Sequence, residues 1–161
     1  MKILNLNNTD ESDEFEGFQY LTPQSFPNLE EIFFDLKTFA SDDEVKYLLQ
    51  ANWKHLKELN INCNDISSKG MEYLSKINFQ KLETLILTAN EIEDDGIKYL
   101  FQAKFPNLKF LDLTQNYITD KGIEYIFRGN LENLQSFIIS ENKITHNSIK
   151  ILLKTKLQKF K

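Results

Sequence analysis

One cysteine and one arginine are all that the 161 residues hold of either type. The lone cysteine, Cys63, excludes an internal disulfide and a cysteine-based zinc site, and it suits a reducing compartment. The lone arginine, Arg128, leaves the chain almost without the bidentate fork that grips phosphates and carboxylates. Positive charge is short as well. Nineteen lysines and arginines face 24 aspartates and glutamates, for a net charge of −5, whereas nucleic-acid binding needs a surplus of cations along one face. No apolar run approaches the ~18 residues of a membrane helix. Met1 leads almost directly into Ile3-Leu4-Asn5-Leu6, with no charged-then-apolar leader. The expectation is a cytoplasmic protein, or a piece cut from something longer. Neither G-x-S-x-G nor a phosphate-cradling glycine loop occurs, neither His55 nor His146 neighbours a plausible nucleophile, and Cys63 has no patterned base. No catalytic residue, cofactor or resident metal is therefore expected.

What is present is a repeat. From Leu108 to Ile126 the chain reads L-x-x-L-x-L-x-x-N-x-I-x-D-x-G-I-x-x-I, carried by Leu108, Leu111, Leu113, Asn116, Ile118, Asp120, Gly122, Ile123 and Ile126. Shifted back 26 residues it meets Leu82, Leu85, Leu87, Asn90, Ile92, Asp94, Gly96, Ile97 and Leu100. A further shift meets Leu56, Leu59, Ile61, Asn64, Ile66, Ser68, Gly70, Met71 and Leu74, and a forward shift meets Leu134, Phe137, Ile139, Asn142, Ile144, His146, Ser148, Ile149 and Leu152. Four matches at one period indicate a solenoid. With 41% hydrophobic residues, the whole length reads as one domain of units starting at 1, 29, 56, 82, 108 and 134, with a partial unit at 157. The first two are degenerate: Thr9 and Lys37 stand where the asparagine belongs. The acidic run Asp10–Glu14 in the first unit reads as a solvated face. Neither end carries an evident polar cap, so the ends are expected to self-associate or to continue into a longer array.

Each unit should make a short strand, turn, and return through a helix. In L-x-x-L-x-L the apolar residues point inward and those between them point to the opposite face. Stacked units then form one parallel sheet, and each leucine contributes ~1.5–3 kcal/mol once its neighbours cover it. The asparagines Asn64, Asn90, Asn116 and Asn142 stand at the turn after the strand, where an amide can satisfy backbone groups of its own loop and of the next unit's loop. Asp94 and Asp120 fit helix N-caps, and Ser41-Asp42-Asp43 a helix start. Glu91, Glu93, Asp94 and Asp95 read as a helix-start cluster, with a metal site as the alternative. Phe26, Trp53, Phe79, Phe105 and Leu131 form a row packed inside the stack. Tyr20, Tyr47, Tyr73, Tyr99 and Tyr125 form another along the helices, for packing between units or as a convex binding strip.

These motifs resemble leucine-rich repeats over nearly the whole chain. The 26-residue period with I-x-D-x-G-I is similar both to the cysteine-containing type of F-box proteins and to the ribonuclease-inhibitor type. The first usually has cysteine where Asn64 and its counterparts stand, and the second has slightly longer units. The resemblance implies an α/β leucine-rich repeat solenoid, a curved right-handed superhelix with a parallel concave sheet and convex helices, that binds proteins on the sheet. Family alone names no partner. It leaves open a substrate-recognition part of a larger protein, such as a ubiquitin-ligase adaptor or bacterial effector, or a GTPase activator. The lack of an F-box-like helical segment before the repeats counts against the adaptor unless the chain is a fragment, and no charged constellation for GTPase activation is evident.

The sheet face can be read off unit by unit. Its first row is Ile3, Glu31, Glu58, Thr84, Phe110 and Ser136, its second Asn5, Phe33, Asn60, Ile86, Asp112 and Ile138, and its third Asn7, Asp35, Asn62, Thr88, Thr114 and Ser140. Strand residues that face solvent should be polar unless they bind something, so large exposed apolar groups near one another are informative. The residues expected to contact a partner protein are Glu31, Phe33, Asp35, Glu58, Asn60, Ile86, Phe110, Asp112 and Ile138. Their mixture anticipates a partner with an apolar anchor and basic groups around it.

Overall fold

The computed structural model describes residues 1–5, 20, 26–34, 41–50, 53–103, 105–129, 133–148 and 150. Six three-residue strands fall one to a unit: β1 Ile3–Asn5, β2 Glu31–Phe33, β3 Glu58–Asn60, β4 Thr84–Ile86, β5 Phe110–Asp112 and β6 Ser136–Ile138. They form a single parallel sheet in sequence order, β1 to β6. Between them run α1 Asp42–Leu48, α2 Ser68–Lys76, α3 Asp94–Gln102 and α4 Asp120–Arg128. Neighbouring helices pack on one another, α1 with α2, α2 with α3 and α3 with α4. Among the described residues no helix is long and apolar enough to cross a membrane. The asparagine and isoleucine expected positions of the first two units, the run Asp10–Glu14, Leu131 and the partial seventh unit lie outside the described residues.

The core follows the repeat. Leu59, Leu85 and Leu111, the middle residues of β3, β4 and β5, are buried, as are Ile61, Leu87 and Leu113 two positions on. Met71, Leu74, Ile97, Leu100, Ile123 and Ile126 meet them from the helices. Trp53, Phe79 and Phe105 are buried in the expected row, with the rings of Phe79 and Phe105 stacked at 6.0 Å and the Trp53 indole donating to Leu48 O at 2.9 Å. Of the tyrosines, Tyr73, Tyr99 and Tyr125 pack partly against this core, whereas Tyr20 and Tyr47 are exposed.

The asparagines form a ladder, but it runs backwards. Asn90 Nδ2 donates to Leu87 O in its own loop and to Ile61 O of the preceding unit, and its Oδ1 accepts from Ile66 N of that same preceding unit. Asn116 repeats this with Leu113 O, Leu87 O and Ile92 N, and Asn142 with Ile139 O, Leu113 O and Ile118 N. Each amide thus ties its loop to the unit behind it rather than to the next one. The residue before each asparagine, Cys63, Ala89, Gln115 or Glu141, sits at φ 53–56°. This left-handed conformation ordinarily costs a side-chain-bearing residue ~1–2 kcal/mol. It turns the chain so that the amide can enter the core, and the ladder holds it there.

The helix caps correct the sequence reading. The N-caps of α3 and α4 are Glu93 and Thr119; Asp94 and Asp120 are the first helical residues. Their carboxylates serve the following unit instead. Asp94 accepts from Thr119 N at 2.8 Å, Thr119 Oγ1 at 2.7 Å and Gly122 N at 2.9 Å. Asp42 does the same for Ser67 N, Ser67 Oγ and Gly70 N, and Asp120 for Thr145 N, Thr145 Oγ1 and Ser148 Oγ. Ser68 is the exception. Its hydroxyl accepts only from Gly96 N, and the N-cap it faces is Glu93, which makes no side-chain cap bond. A carboxylate at that position would lie against Glu93, so a neutral serine fits the pattern's one acidic cap. In α1 the expected start holds, with Ser41 as N-cap and Glu44 closing a capping box.

The hydrogen bonds from Ser148, then from the Thr145 hydroxyl and backbone, hold the Asp120 carboxyl below its ordinary pKa of 3.8. A carboxyl whose folded pKa is depressed stabilises the fold above its unfolded value and loses that contribution as pH falls through the folded one. Acidification below about pH 4 should therefore loosen the Thr145–Ser148 turn. The check is amide exchange at Thr145 N, which should quicken on acidification relative to Asp120→Asn. Equal trends in the two proteins would contradict this.

Candidate functional site

On the face of the sheet away from the core, the pairing register builds two continuous rows. Ile3, Glu31, Glu58, Thr84, Phe110 and Ser136 are successive Cα partners, and so are Asn5, Phe33, Asn60, Ile86, Asp112 and Ile138. Of the residues expected to bind, Glu31, Phe33, Glu58, Asn60, Ile86, Phe110, Asp112 and Ile138 therefore share one face. Asp35 lies outside the described residues.

One part of the expectation changes. The large exposed apolar residues among those described are Met1, Ile3, Tyr20, Tyr47 and Tyr117. Phe33, Ile86, Phe110 and Ile138 are half-buried. Strands ~4.8 Å apart place a flanking side chain on either side of Phe33, Ile86 and Phe110 and on the β5 side of Ile138, so an apolar residue on this face is partly covered by its row. Ile86, Phe110 and Ile138 stand on consecutive strands in alternating rows, diagonal neighbours that make one apolar strip across β4 to β6. Glu31 and Glu58 are direct partners on β2 and β3. Burial and then the charge of Glu31 push the Glu58 carboxyl above its ordinary range. Asp112 is engaged locally, accepting from Thr114 N at 2.8 Å.

A second row of charge escaped the sequence reading. Lys2, Glu30, Lys57, Glu83 and Lys109 occupy one position of five successive units. Glu30 pairs with Lys2 at 2.7 Å and Lys57 at 2.6 Å, and Glu83 with Lys109 at 2.7 Å. The hydrogen bonds from Lys2 and Lys57 hold Glu30 down to about 2. The signal was the unit spacing itself, read for apolar residues only.

The remaining candidates stay apart from these rows. His55 and His146 are exposed. In the cluster at the start of α3, Asp94 is taken up by the three bonds to the next unit, and Asp95 lies 3.9 Å from Lys121. No group of described residues there has the arrangement of a metal site. A recess of about 280 Å³ beside it is lined by Glu93, Tyr117, Lys121 and Lys143, with the Lys143 ammonium 4.4 Å from the centre of the Tyr117 ring.

Six parallel strands in sequence order, with β3 to β6 each followed by a turn that carries an asparagine, define an α/β solenoid of stacked strand–helix units. A family model described as "Leucine Rich repeat" matches residues 54–75, 80–101 and 106–127, three consecutive units. These three units are leucine-rich repeats, and the fold is that of a leucine-rich repeat solenoid. Among solved structures, an internalin from Listeria monocytogenes aligns with 81% of this chain at a TM-score of 0.53 and 24% identity. The alignment takes in 34% of the internalin, so this chain spans about a third of that protein's length. A plant peptide hormone receptor aligns at a TM-score of 0.33 and 13% identity, over 75% of this chain and 29% of its own. A search of curated proteins finds no match. Leucine-rich repeat proteins commonly mediate protein–protein interactions, and the domain is generally a non-catalytic scaffold.

Proposed function

We propose that the chain is a non-catalytic, cytoplasmic interaction module that binds a partner protein on the sheet face. The supporting observation is the diagonal strip Ile86, Phe110 and Ile138, set in the same face as Glu31, Phe33, Glu58, Asn60 and Asp112. Three apolar residues on consecutive strands are an anchor surface, and the carboxylates beside them steer a cationic partner. Single β-branched or aromatic residues would merely suit a strand; a strip formed from two separate rows is a stronger signal.

The test is a paired capture from lysate of the source organism, followed by identification of what is held. One bait is the unaltered chain and the other carries Ile86→Glu and Phe110→Glu, with its fold checked by circular dichroism. A partner held by the first and lost by the second is the expected result. A partner held equally by both would remove function from the sheet face.

A further inference from the structure

The two rows contain carboxylates but no lysine or arginine. The first is Ile3, Glu31, Glu58, Thr84, Phe110 and Ser136, the second Asn5, Phe33, Asn60, Ile86, Asp112 and Ile138. Four described glutamates elsewhere find cations. Glu72 pairs with Lys69 and Lys76, Glu83 with Lys109, Glu124 with Arg128, and Glu30, one residue from Glu31, with both Lys2 and Lys57. Glu31 and Glu58 differ in being set against each other. They lie directly opposite each other on adjacent strands, and among the described residues no lysine or arginine pairs with either. Lys57 feels the field of Glu31, but its ammonium is held by Glu30 at 2.6 Å.

Like charges directly opposite in a sheet are destabilising, and here they are half-buried. Burial first, and the charge of Glu31 second, raise the Glu58 carboxyl. An incoming cation would relieve the repulsion. The face is also polarised along the stack, with the carboxylate pair over β2 and β3 and the apolar strip over β4 to β6. From midway between β2 and β3 to β5 is two and a half strand spacings, roughly 12 Å. In an extended segment, residues i and i+4 lie on the same side and ~13 Å apart.

We propose that this face takes an extended segment of a partner protein crossing the strands, with a lysine or arginine side chain over Glu31 and Glu58 and, four residues away, an apolar side chain over Ile86, Phe110 and Ile138. The inference rests on the sheet-face reading above and specifies its ligand. Asp112 lies beside the apolar strip and keeps one carboxylate oxygen bonded to Thr114 N, so it adds negative field without being the cation's seat.

The probes are a capped pentapeptide with lysine first and phenylalanine fifth, the same peptide with Nε-acetyl-lysine, and spermidine. Each is titrated against the full chain with carboxyl-labelled glutamate and amide shifts read by NMR. The lysine peptide should move the Glu58 carboxyl and the Phe110 amide together. Acetylation should weaken it about fivefold, as befits a partly exposed ion pair, and Glu31→Gln with Glu58→Gln should weaken it equally. If the acetylated peptide binds as well, the cation assignment falls while the apolar face stands. If spermidine moves the carboxyls as strongly as the peptide, the pair merely collects cations and the proposal is overturned. If neither peptide moves either signal, the proposal is overturned too. The sheet-face reading fails separately, when the captured partner is retained by the Ile86→Glu and Phe110→Glu bait.

Discussion

Replacing Asn116 with alanine is expected to lower the unfolding free energy by about 2–4 kcal/mol. The size of the effect follows from what loses a partner. Ile92 N has Asn116 Oδ1 as its acceptor at 3.0 Å, in a buried turn, and is left orphaned. The carbonyls Leu87 O and Leu113 O each lose one of two amide donors, since Asn90 also reaches the first and Asn142 the second. The Gln115 backbone, at φ 56°, loses the bond network that holds it in a left-handed turn. Urea unfolding followed through the buried Trp53 measures the loss. Asn116→Asp is a sharper variant. It keeps the acceptor for Ile92 N but sets an anion against the carbonyls of Leu87, Leu113 and Thr114. Those oxygens raise its folded pKa, so the variant should be destabilised at neutral pH and recover as pH falls and the acid regains a donor. A change below about 1 kcal/mol for the alanine would mean that the ladder is an accompaniment of the fold rather than a cause.

Gly122→Val should cost about 2–4 kcal/mol, from overpacking together with a lost cap. A Cβ on Gly122 would lie 2.6 Å from Asp94 Oδ1 and 2.6 Å from Ile118 Cγ2. To make room the carboxylate must withdraw, and its bonds to Thr119 N, Thr119 Oγ1 and Gly122 N go with it. Glycine is needed here for close approach, not for backbone freedom, since no glycine has positive φ among the described residues. The sixth unit shows the tolerable departure: Ser148 stands in the glycine position and its hydroxyl donates to Asp120. Gly122→Ser should accordingly lose less than Gly122→Val in the same urea measurement. Equal losses would mean that the carboxylate contact has no bearing on the cost.

The period made the strands, the buried leucines and the two outward rows legible before any coordinates, because an apolar side chain reports its burial by its spacing. The asparagine turn was legible by type but not by direction, since an amide looks the same whichever neighbour it reaches. Asp94 read as a local cap because the capping rule is local. Its actual donors lie 25 to 28 residues ahead, where only the stack brings them close. The left-handed residues gave no signal at all: Cys63, Ala89, Gln115 and Glu141 are of four unrelated types, and none is the glycine that advertises such a turn. On the face itself, residue identity foretold the mixture of acid and apolar groups. It did not foretell that flanking residues of their own rows would half-cover Phe33, Ile86, Phe110 and Ile138.

The alternation of Lys2, Glu30, Lys57, Glu83 and Lys109 has a bearing on how such an array can change its length. A gene event that duplicates or deletes one unit sets two lysines or two glutamates side by side. An event involving two units leaves every lysine next to a glutamate. Growth and shrinkage by pairs meet less repulsion, so parity becomes a heritable property of the stack. An engineer lengthening this array would do well to insert its units two at a time.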